Sequence, residues 1–190
     1  WRWEQPWLLG FRDIARSTDE RTAIFSLIPR VAVGNKLPLW FLGSASIDDA
    51  LVLAAITSSF IFDFITRQSI GGTTFNFYIV KQLPIPRRED LDAEALARLK
   101  SLAGALVCTD ALMMDILRGR PHQAAWDPTS RSARRSELDA FCFHLYGLCE
   151  DDVAYVLSTF EVTKRREVAE LGDFRTSSSV IASFRDIERK

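Results

Sequence analysis

The chain has 190 residues, 47% of them hydrophobic and 26% charged, the make-up of an ordinary globular protein with a sizeable core. A formal net charge of −1 excludes a uniformly basic nucleic-acid binder, yet the charge is uneven: residues 1–88 carry ten Lys/Arg against seven Asp/Glu, and residues 89–190 fourteen against eighteen. Three cysteines, Cys108, Cys142 and Cys149, exclude a dense disulfide framework and point to a reducing, cytoplasmic setting.

The chain opens on Trp1, in sequence that already reads as folded, so a piece of a longer protein is expected. Residues 7–14, 22–28 and 37–42 are rich in aromatic and branched apolar side chains and read as short strands, separated by turn-forming residues. Between the first two lies the polar loop RDIARSTDERT, residues 12–22, with Arg12, Arg16 and Arg21. Such a loop is either a solvated connection or a place where arginines meet phosphates and base edges.

Ser46 is a good N-cap, followed by Asp48 and Asp49 in the first turn of a helix expected over residues 47–67. The helix is apolar nearly all round, which predicts burial on several sides. Its most apolar run, residues 50–62, is interrupted by Thr57, Ser58 and Ser59 and is too short to span ~30 Å of hydrocarbon. Gly71 and Gly72 are expected to end it. Phe75, Phe77 and Ile79 then alternate like a strand over 75–80, and Pro84 and Pro86 force an extended exit.

Residues 91–117 read as one long helix. Leu96, Leu99, Ala103, Leu106, Asp110, Met113 and Leu117 make a heptad-like seam, open to intramolecular packing or to a coiled-coil spacer. Helices are also expected over 134–146, 150–157, 160–171 and 180–187. The expected fold class is therefore α+β: a small mixed α/β unit over residues 1–90, then a helical spacer and C-terminal helical region over 91–190.

The residues alone offer little catalytic chemistry. His122 and His144 are the two histidines, Cys142 and Cys149 are not spaced as a metal pair, and there is no P-loop or GxGxxG. Acidic pairs such as Asp48-Asp49 and Asp151-Asp152 lie at helix starts, where the helix dipole accounts for them. Side chains suited to DNA are more evident. Arg67 and Gln68 precede the glycine doublet, Asn76 and Lys81 flank the alternating stretch, and Lys164, Arg165 and Arg166 form a second basic cluster.

Two stretches resemble known proteins. FITRQSIGGTTFNFYIVKQLPIP, residues 64–86, resembles the closing segment of target-recognition domains in restriction-modification specificity proteins. RSELDAFCFHLYGLCEDDVAYVLSTF, residues 135–160, with KRREVAELGDFRT after it, resembles the C-terminal end of large adenine-specific DNA methyltransferases, among them type IIG restriction-modification enzymes and BREX- and DISARM-like phage-defence methylases. GFRDIARSTDERTAIFSLIP, residues 10–29, fits the recognition region of the same proteins.

The resemblance implies a non-catalytic DNA-recognition and positioning part. The family's Asn-Pro-Pro-Tyr/Phe motif and glycine-rich S-adenosylmethionine loop are absent from these residues. That cofactor would belong to an upstream methyltransferase domain of the same chain, with duplex DNA as the other partner. Arg67, Gln68 and Lys81 would then read bases from the glycine elbow, with Arg12, Arg16 and Arg21 holding phosphates. The competing expectation is a helical protein-interaction module that docks, or self-associates, through the 96–117 seam.

Overall fold

In a computed structural model, which describes residues 2–43, 46–119 and 127–189, the chain is α+β. Strand β1 (Trp7–Phe11) pairs antiparallel with β2 (Phe25–Pro29), from Trp7 opposite Pro29 to Phe11 opposite Phe25. All five β1 residues are buried, as a continuous apolar run predicts, whereas β2 turns Ser26 outward. The third expected strand, 37–42, shrinks to a single bridge between Leu39 and Gly10. Pro38 supplies a carbonyl to Phe11 N–H but has no N–H to return, which limits further pairing. Gly10 admits this close approach, since a Cβ there would lie 3.0 Å from Leu37 Cγ.

The expected helix 47–67 is two helices. Helix α1 (Ile47–Thr57) starts with the predicted Ser46 cap, in a reciprocal capping box with Asp49. Helix α2 (Phe60–Ser69) leaves it at 70°, capped by Ser59. The turn is local chemistry: Ser59 Oγ donates to the Ile56 carbonyl and accepts from Phe62 N–H, so the ladder restarts. Among the described residues no single helix is long and apolar enough to cross a membrane. The bent α1–α2 pair is apolar because it forms the core.

Nor is the 75–80 stretch a strand. Thr74 makes one bridge to Ile14, and Asn76 then caps a single helical turn, α3 (Phe77–Val80), by accepting from Ile79 N–H. Phe75 is fully buried against Phe11 and Phe25, which anchors the chain just before the turn. The glycine doublet is not the helix stop, because α2 ends at Ser69 with Ile70 as its cap.

The long helix expected over 91–117 breaks at Cys108–Asp110 into α4 (Ala93–Val107) and α5 (Ala111–Ile116). Asp110 is no polar seam member; its carboxylate caps α5 through Met113 N–H. Leu99, Ala103, Met113 and Leu117 are buried in the chain's own core, so this side of the seam is already covered intramolecularly. There follow α6 (Pro128–Leu145), α7 (Glu150–Ser158), α8 (Glu161–Leu171) and α9 (Arg175–Glu188). Helix α6 begins earlier than expected because Asp127 caps it and Pro128 suits its first position.

Helix α6 packs on α9, α4 on both α1 and α6, and α2 on α6 and α7. One core therefore runs from Trp7 to Phe184 across the expected boundary at residue 90, with Leu91, Ala95 and Leu99 inside it. Phe60 of α2 and Phe160, just before α8, meet edge to face at 4.6 Å.

Candidate nucleic-acid interface

The polar loop and the glycine elbow, well separated in sequence, are joined by backbone hydrogen bonds. Ala15 N–H donates to the Thr73 carbonyl at 3.2 Å, and Phe75 N–H donates to the Asp13 carbonyl at 2.6 Å. The side chains around this junction divide sharply by environment.

Arg21 and Arg67 turn inward. Their common partner is Asp63, fully buried on α2: Arg21 Nε lies 2.6 Å from it and Arg67 Nε 3.4 Å. Arg21 also donates to the carbonyls of Ser58 and Ser59 at the helix break, and its guanidinium lies over the Phe60 ring. Arg67 donates to the carbonyls of Asp19 and Glu20 and lies over the Phe160 ring at 4.0 Å. Burial lowers its pKa, with Asp63 opposing. Arg67, expected to read a base, and Arg21, expected to hold a phosphate, are both placed where they hold the loop. Either guanidinium would have to abandon three hydrogen bonds, one of them to a buried carboxylate, to reach a ligand.

Arg12 is also internal to the loop, donating to Asp19 Oδ2 and to the Arg21 carbonyl. By contrast, Arg16, Gln68 and Lys81 are exposed, and their side chains make no hydrogen bond or ion pair with the described residues. Asn76 is exposed too, with its side-chain oxygen engaged as the α3 cap. Around them lie Gly71 and Gly72, where an added Cβ would meet nothing within 4 Å, and the exposed Ile14 and Tyr78, the latter 77% accessible.

The second basic cluster is divided. Arg166 reaches the loop and pairs with Glu20. Lys164 and Arg165 are exposed, but at ~100° per residue Lys164 lies about 200° around α8 from Arg166, so the three do not form one patch.

Two carboxylates that organise this region escaped the sequence reading. Asp63 accepts from Thr22 and Ala23 N–H as well as from the two arginines. Asp139 of α6, fully buried, accepts from Phe60 N–H at 2.7 Å, capping α2 from another part of the chain. Burial pushes its carboxyl up to about 6, against the opposing pull of Arg21 and that N–H. For Asp63 the available signal was a lone acid inside an apolar helix.

Among the described residues no group of three His, Cys, Asp or Glu is placed to hold a metal ion; His122 lies outside them. Cys142 is buried, and its thiol pKa is raised by that burial, while His144 stacks on Phe184 at 3.8 Å. No protein-family model, curated protein or solved structure matches this chain.

Proposed function

We propose that this chain is the DNA-recognition and positioning part of a larger adenine-specific DNA methyltransferase, in which an upstream domain binds S-adenosylmethionine and performs the transfer. The observation that carries the reading is the hydrogen-bonded junction of the loop with the glycine elbow. It is where the two N-terminal stretches with a family resemblance coincide. It also leaves Arg16, Gln68 and Lys81 outward beside a surface with little steric bulk. Arg16 and Lys81 suit phosphates, Gln68 suits a base edge, and Tyr78 offers a ring for stacking. Arg21, Arg67 and Asp63 hold that face in shape.

The test is duplex binding by the 190-residue chain, followed by fluorescence anisotropy over a range of salt concentrations. Binding should weaken as salt rises, and Arg16→Glu with Lys81→Glu should lower the slope of log K against log salt by about two. Absence of duplex binding, or an unchanged slope in a folded double variant, would overturn the proposal.

A further inference from the structure

Helix α8 is built the wrong way round for a core helix. The residues it buries are Thr163 and Glu167, both polar, while Val168 and Leu171 stand exposed. No residue of α8 joins the hydrophobic core that its flanks enter. Phe160 before it, and Val180 and Phe184 of α9 after it, are fully shielded from solvent. The start of α8 carries no side-chain cap, and its end is Gly172 in the left-handed conformation.

The inward side of α8 faces open space. Thr163, Arg166 and Glu167 line a cleft of about 730 Å³, whose other walls come from β2, the α4–α5 joint and α6. The ties of α8 to neighbouring elements are polar. Arg166 pairs with Glu20 of the polar loop, both side chains being part-exposed, and Glu167 accepts from Thr176 N–H at 2.8 Å in the first turn of α9. Burial of an apolar face supplies most of the stability of a helix in a protein, whereas a part-exposed ion pair supplies little. The free energy that holds α8 down is therefore small beside that holding its flanks.

Those flanks also bound any movement. The Phe160 ring is held by the Phe60 ring and the Arg67 guanidinium. Arg67 donates in addition to the Asp19 and Glu20 carbonyls, so the loop backbone keeps its path when the Glu20 side chain is released.

We propose that α8 is a strap across the cleft that detaches locally, hinged at Phe160 and Gly172, with the Arg166–Glu20 pair as its latch. Opening widens the mouth of the cleft and frees the Glu20 side chain while the core stays folded. This device does not depend on the DNA reading.

Hydrogen exchange of the 190-residue chain, followed by mass spectrometry, is the test. Amides of residues 165–171 in α8 should exchange at least about tenfold faster than those of residues 136–143 in α6, although both segments are helical. Arg166→Glu sets two carboxylates against each other and should speed exchange in α8 a further severalfold, leaving α6 unchanged. Adding Glu20→Arg restores an opposite-charge pair and should reverse most of that gain. Equal protection of the two helices in the wild-type chain, or exchange in α8 that Arg166→Glu does not alter, would overturn the proposal.

Discussion

The Asp63 carboxylate and the Arg21 guanidinium, 42 residues apart in sequence, meet at 2.6 Å with Asp63 completely shielded from solvent. The same carboxylate accepts two backbone N–H groups of the loop, so it substitutes for a neighbouring strand as well as for a counter-charge. Asp63→Ala leaves Arg21, Arg67 and both amides without their acceptor. A loss of about 3–5 kcal/mol is expected, read by urea denaturation at neutral pH. A loss under about 1 kcal/mol would mean that the loop is held by something else.

Asp139 predicts an inverted pH dependence. Its folded pKa, about 6, lies above the ordinary 3.8, so the folded state holds the proton more tightly than the unfolded chain. The group's stabilising contribution is complete below the unfolded pKa and is lost as pH rises through about 6. The charged groups acting on it are Arg21, Arg135 and Asp63. Asp139→Asn keeps an acceptor for Phe60 N–H and removes the titration. Relative to wild type it should gain on the order of 3 kcal/mol between about pH 4 and about pH 8. Parallel stability profiles for the two proteins would contradict this.

Arginines in the same loop region should separate cleanly. Arg16→Ala should leave stability within about 0.5 kcal/mol while weakening duplex binding. Arg67→Ala should cost about 2–4 kcal/mol, because it uncovers two loop carbonyls and part of Asp63. Thermal unfolding beside anisotropy on both variants checks the contrast, which fails if Arg67→Ala unfolds like wild type.

The elbow glycines are expected to be dispensable for folding. Neither Gly71 nor Gly72 has a positive φ, and neither faces a neighbour within 4 Å. Alanine at either should leave stability unchanged or raise it by up to about 1 kcal/mol. Gly172 is different: it ends α8 at φ +77, and alanine there should cost about 1 kcal/mol. Glutamate at Gly71 should fold normally and bind duplex more weakly. Full binding by that variant would place the DNA elsewhere.

Local signals were the readable part of this fold. The Ser46 cap, the buried first helix and the pattern of C-terminal helices follow from short-range sequence. Three of the misread elements share one cause, a side chain that serves as a cap within an otherwise uniform pattern. Ser59 divides an apolar run that carries no helical phase, Asn76 starts a turn inside an alternation of period two, and Asp110 ends a seam it seemed to continue. The roles of Asp63 and Asp139 could not be read locally, because their partners lie up to 42 and 79 residues away. The candidate interface was legible as composition, and its division into outward and inward arginines was not.

The loop's supports sit at its two ends. Arg12, Asp19, Arg21, Thr22 and Ala23 carry contacts to the body of the protein or across the loop, while among the described residues Arg16 is tied there only through its backbone and Ser17 and Thr18 have no bonds of this kind. Such a loop behaves as a socket with an exchangeable tip. Side chains at 16–18 can therefore be replaced without disturbing the frame.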